Sequence, residues 1–177
     1  MSLIISETSN SFEVAETGIH RAVCCDIVDI GKQVNKFTGE EQDKLRIHWM
    51  IEQKMTKGPY AGKPLGVVKY YTKSLHKKSN LRKDLDKWRG RPFTEDELKG
   101  FDMEKVIGSC CQLNIMASEK DPENKRFVAD VLPDIKGAES LTVPSDYVRA
   151  KDRTDKGQIY KTDDSIKPHD SDDDVPF

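Results

Sequence analysis

Ten residues restrict the fold more than any other part of the chain: over 44–53, Leu45, Ile47, Trp49 and Ile51 alternate with Arg46, His48 and Met50. A period of two puts the first set on one face and the second on the other, the pattern of a strand with one dry face. Four more stretches read as strands. Residues 19–30 (IHRAVCCDIVDI) are rich in β-branched side chains and too long for a plain alternating strand, which predicts a first strand with a bulge or bend. After the strand over 44–53, VVKYYTKSL gives a third, with Lys69, Tyr71 and Lys73 on one face. Residues 110–117 give a fourth, with Cys111, Leu113, Ile115 and Ala117 facing together, and RFVADVL, beyond the turn SEKDPEN, a fifth.

Between the third and fourth strands the period changes. Leu81, Leu85 and Trp88 fall at i, i+4 and i+7 behind Ser79, so a helix with Ser79 as its cap is expected from there. Thr94 and Glu97 form a capping box flanked by Phe93 and Leu98 in the staple positions, which starts a short helix at Glu95 and ends it near Gly100. A further turn is expected from Met103 to Ile107, stopping at Gly108.

Three strands, a helical insertion and two strands is the order of an OB-fold barrel, a small barrel whose closure removes exposed edges. The expected class is therefore a β-dominated α+β fold: a five-stranded OB-fold barrel with a helical insertion between strands three and four, and a flexible acidic C-terminal tail. Strand one pairs with strand four in such a barrel, which brings Cys24 and Cys25 near Cys110 and Cys111. Neighbours on a strand point to opposite faces, and zinc sites space their cysteines two to four residues apart, so these pairs read as packing and no metal is expected. Apolar residues make up 36% of the chain, and the 11 glycines still leave it short of the roughly 45–50% of a globular domain. Part of it is thus expected to stay unpacked: residues 1–17 as an N-terminal extension, 18–133 as the barrel, 134–169 as a mostly irregular linker and 170–177 as an acidic tip. No apolar run approaches the roughly 18 residues of a membrane span, and Met1 to Asn10 lacks the pattern of a signal peptide, which predicts a soluble cytoplasmic protein.

The net charge of −2 conceals a strong asymmetry. From Lys54 to Arg91 there are twelve Lys or Arg against Asp84 and Asp86, whereas Asp163 to Phe177 holds six Asp against one Lys. Such polarity points to a polyanion-binding surface and an acidic interaction tail. Aromatic rings fall among the lysines, and a basic groove with stacking rings is what holds single-stranded nucleic acid. On an OB-fold the ligand crosses strands two and three. The candidates are Arg46, His48, Lys69, Tyr71 and Lys73 on the face, Phe37 in the first loop, and Lys54, Lys57, Tyr60 and Lys63 on the next hairpin, clasping the strand. Trp49 and Trp88 are expected in the core. GPYAGKP is not a phosphate loop, because three residues and not four precede its GK and Pro64 stands where a hydroxyl would hold magnesium. No nucleophile elbow, HExxH or metal-suited histidine spacing occurs, and Asp26, Asp29 and Glu52 have no spacing that supports nuclease chemistry, so neither an enzyme nor a cofactor is expected.

At the other end, Asp172, Asp173 and Asp174 are followed by Val175, Pro176 and Phe177, an acidic string ending in a ring. A partner taking the ring in a pocket and the carboxylate on a cation is a recognised form of terminal capture. DSDDDVPF resembles the acidic tip of bacterial single-stranded-DNA-binding proteins. SLHKKSNLRKDLDKWRGRPFTEDELKGFD, with GIHRAVCCDIVDIGKQ before it and GSCCQLNIM after it, resembles small OB-fold proteins of phages and integrated elements, over roughly residues 18 to 133. The resemblance implies a phage-type single-stranded-DNA-binding protein in the cytoplasm of a bacterial host, acting in replication or recombination and recruiting partner proteins through its tip. The helical insertion departs from the simplest OB pattern; it either extends the basic surface through Arg82, Lys83, Lys87, Arg89 and Arg91 or plugs the barrel with Leu81, Leu85 and Trp88. Two other readings follow from the same residues: an OB-fold adaptor that binds protein and not nucleic acid, its basic helix docking an acidic partner, and a nuclease or annealing enzyme.

Overall fold

The computed structural model describes residues 13–155 and 158–161, and the acidic tip, Asp172 to Phe177, lies outside them. Two compact units divide the chain, Met1–Val143 and Pro144–Phe177. The first is a five-stranded antiparallel sheet with two helices. Its strands are β1 (Gly18–Val34), β2 (Glu41–Lys54), β3 (Pro64–Thr72), β4 (Cys110–Ala117) and β5 (Arg126–Leu132), and between β3 and β4 come α1 (Asn80–Arg89), α2 (Glu95–Lys99) and a 3-10 turn at Met103–Val106. The second unit pairs Tyr147 with Tyr160, rings 6.1 Å apart, and stacks Arg153 on Tyr147. No helix among the described residues is long and apolar enough to cross a membrane.

Strand β1 is the shared element of the sheet, whose order is β3-β2-β1-β4-β5. It runs for 17 residues because two bulges bend it, with register shifts between Cys24 and Asp26 and between Asp29 and Gly31. The bulge at Cys25 also lets neighbouring cysteines both be buried, Cys25 donating its thiol to the His48 carbonyl at 3.5 Å. On its other edge β1 pairs with β4, Ala22 opposite Cys111 and Val23 opposite Cys110, as the strand order required. Burial pushes the Cys111 thiol pKa up, which keeps it protonated.

Strand β3 lies three residues earlier than the sequence pattern suggested. Its first residues include Pro64 and Gly66, but a strand's first residue needs no N–H for the ladder, and Gly66 pairs with Met50. The far end stops at Thr72, where the Lys73 N–H turns back to the Asp43 carbonyl.

The alternating apolar set of β2 faces inward with Leu113, Ile115, Val128 and Val131 from β4 and β5. Helix α1 closes this core with Leu81, Leu85 and Trp88, the Trp88 ring 5.9 Å from that of Trp49 and its Nε1 donating to the Cys110 carbonyl at 2.8 Å. Ser79 caps α1 by accepting from the Arg82 N–H, and the capping box of α2 is present at Thr94 and Glu97.

The expected closed barrel is not formed. Strands β3 and β5 approach within 8 Å between Cα atoms, yet no ladder joins them, and a cavity of about 330 Å³ lies along the seam. Side chains bridge it instead. At one end α1 reaches β3 through Asp84 to Lys69 and β5 through Lys87 to Asp130; near the other, Arg126 Nε donates to the Ala15 carbonyl at 2.8 Å. The segment read as linker also starts inside this unit, with Arg21 bound to Asp134 at 3.0 Å and to the Glu139 carbonyl at 2.8 Å.

Candidate nucleic-acid interface

Register decides what strands β2 and β3 can present. Leu45, Ile47 and Trp49 pair with Tyr71, Lys69 and Val67, and directly paired residues point to the same side, so all six face the core. Lys44, Arg46 and His48 pair with Thr72, Tyr70 and Val68 on the opposite face. There Tyr70 is 56% exposed and Val68 41%, and the Arg46 guanidinium lies 5.9 Å from the centre of the Tyr70 ring. Met50, on the same face, is buried, so the accessible part of the face lies toward Lys44 and Thr72.

Two expected site residues, Lys69 and Tyr71, therefore face the core and not the exposed side of the sheet. Tyr71 is buried, and its hydroxyl donates to Asp84 Oδ2 at 2.6 Å, while Lys69 Nζ meets the same oxygen at 2.7 Å. Burial first, then the Asp84 charge, push the Tyr71 pKa up and keep the phenol neutral. This ring has no face to offer a base, and the ammonium beside it is already neutralised. The strand's mixed composition explains the error, since either parity of VVKYYT carries an apolar residue and a ring. Tyr70, which was not among the candidates, is the ring that this strand exposes. The parity comes from the register: the odd-numbered inward set of β2 pairs with odd-numbered residues of β3, which leaves Tyr70 outward.

Of the remaining candidates, Arg46 and His48 lie on the Tyr70 face. Lys73 extends past the end of β3 and pairs with Asp29 at 2.8 Å. Phe37 is 99% exposed in the β1–β2 loop, its N–H held by Asn35 Oδ1 and the loop closed by the Asn35 N–H on the Glu40 carbonyl. Lys54, at the end of β2, and Lys57, Tyr60 and Lys63, in the β2–β3 loop, sit at the opposite end of those strands. At about 3.3 Å per residue, Lys44 and Lys54 are roughly 33 Å apart along β2, so the two loop groups frame the face and do not converge. Glu13 holds the start of the second loop by accepting from the Thr56 N–H at 2.7 Å.

The cations of α1 are mostly spoken for. Lys87 pairs with Asp130 at 2.6 Å, Arg89 with Glu97 at 2.7 Å and Arg82 with Asp86 at 3.7 Å, and Arg91 shares Glu97. Among the described residues, Lys44, Lys77, Lys78 and Lys83 have no carboxylate partner within ion-pair distance. The acids weighed for a metal are apart in role: Asp29 holds Lys73, Glu52 lies 3.6 Å from Arg21, and Asp26 is buried. No protein-family model matches the chain, and no curated protein matches it.

Proposed function

We propose that the protein binds single-stranded DNA with little sequence preference on the exposed face of β2 and β3, as a non-enzymatic component of phage or mobile-element replication or recombination. The supporting observation is Tyr70, an exposed ring under a guanidinium and flanked by Lys44 and His48, because a base stacked there would meet a π surface and a cation together. Each such stack is worth about 1–3 kcal/mol and tolerates any base. The strand order, with β1 shared between two halves and the helix between β3 and β4, supports the finer reading of an OB-fold barrel left open at the β3–β5 seam. In this reading the acidic tip recruits partner proteins.

The adaptor alternative has less support, since the helix it would use spends most of its cations on Asp86, Glu97 and Asp130. A titration of oligo-dT into the full chain at several salt concentrations tests the proposal. Log affinity is expected to fall against log salt with a slope of about −0.7 per phosphate contact, and Tyr70→Ala is expected to weaken binding by roughly tenfold or more. Absence of binding at low salt, or equal affinity of the Tyr70→Ala variant, overturns it.

A further inference from the structure

Beside Tyr70 the sheet face opens into a cleft of about 550 Å³ between the end of β3 and the start of α1. Its size is that of a site for a small molecule, typically about 300–1,000 Å³. Lys44, Tyr70, Thr72, His76, Lys78 and Asn80 line it, and no carboxylate does. That composition is unusual here, because most cations of the neighbouring helix carry an acid partner, whereas Lys44 and Lys78 carry none among the described residues. His76 adds a donor. Its Nδ1 accepts the Lys78 N–H at 3.3 Å, which places the ring proton on Nε2. Ser79, by contrast, is committed to the helix: its hydroxyl donates to the Ser74 carbonyl and accepts from Arg82. The first turn of α1 carries no acid to repel an anion.

We infer that this cleft seats one nucleotide of a bound DNA single strand, the base against Tyr70 and the phosphate between the ammonium groups of Lys44 and Lys78. The strand then passes from the sheet to the start of α1. The inference rests on the β2–β3 face being the strand-binding surface, and it gives the β3–α1 loop a function of its own: His76 and Lys78 complete the grip that the sheet begins.

The test is fluorescence anisotropy of labelled oligo-dT with the full chain. Lys44→Ala and the double variant His76→Ala with Lys78→Ala are each expected to lower affinity roughly tenfold and to reduce the salt slope by about 0.7 for each phosphate no longer neutralised. Lys78→Arg, which keeps the charge, is expected to bind as the parent does, and so is Lys105→Ala, which removes an exposed charge from the turn before β4. These side chains lie at the surface, so thermal melts are expected to be unchanged, and a drop in affinity with an intact melt counts for the cleft. If the parent binds with a steep salt slope and both cleft variants bind equally well, the cleft is not on the strand's path and only the sheet-face reading survives. If the parent does not bind oligo-dT, both fall. An equal drop in Lys105→Ala overturns the cleft as a specific seat, because net charge alone would then explain the effect.

Discussion

Asp84 receives two donors on one oxygen, Tyr71 at 2.6 Å and Lys69 at 2.7 Å, in a position only 8% exposed. A charge this buried is tolerated because it is hydrogen-bonded and paired, and removing either kind of partner leaves an uncompensated group. Asp84→Ala is accordingly expected to cost about 3 kcal/mol of folding free energy, and Tyr71→Phe about 2 kcal/mol, since only the hydroxyl goes. Urea unfolding checks both. The same variants separate structure from function: Tyr71→Phe is expected to leave oligo-dT affinity within twofold of the parent, and a large drop in a protein that still folds would return Tyr71 to the binding face.

The helical insertion acts as a clamp at the scale of elements. Helix α1 buries Leu81, Leu85 and Trp88 against the sheet and ties β3 to β5 by side chains where the ladder is missing. Helix α2 then holds α1 by one carboxylate. Glu97 accepts from the Thr94 N–H at 2.9 Å and from Arg89 at 2.7 Å, and Arg91 lies at 3.2 Å. The Thr94 backbone bond first, then Arg89, hold its pKa down at about 2 against an ordinary 4.5. A pKa depressed by folding adds stability that is complete above about 4.5 and disappears as the pH falls through about 2. The melting temperature should therefore decline across that window, and Glu97→Gln should flatten part of the decline. Identical pH profiles for variant and parent would show that this carboxylate does not clamp the helices.

At the scale of the whole molecule, charge is separated along the amino-acid sequence. The basic stretch from Lys54 to Arg91 and the acidic stretch from Asp163 to Phe177 lie far apart in the sequence, and under the proposed function a DNA strand and the acidic segment compete for the same cations. Deleting residues 170–177 is thus expected to leave oligo-dT affinity equal or raise it by up to roughly tenfold at low salt, with less gain as salt screens the competition. Anisotropy titrations of the shortened and full chains measure this. Abolished binding in a shortened chain with an unchanged melt would mean that the tip belongs to the DNA site.

Much of this is legible in the amino-acid sequence. Period-two runs of apolar residues set β2 and β4, and stretches rich in β-branched and aromatic side chains set β1, β3 and β5, because both are local properties of a strand's own side chains. The change of period at Leu81, Leu85 and Trp88, with Ser79, Thr94 and Glu97 as caps, set the helices for the same reason. What tertiary structure alone decided was which way a strand of mixed composition turns and whether the two sheet edges meet. Tyr70 faces out and Tyr71 in because β3 takes its parity from β2 and because Asp84, 13 residues beyond Tyr71, arrives to accept its hydroxyl. The seam between β3 and β5 stays unpaired, with α1 joined to both strands through Asp84 and Lys87 and with Arg126 of β5 holding the Ala15 carbonyl of the segment before β1. Both outcomes depend on partners distant in the chain, and no local pattern of residues encodes a partner.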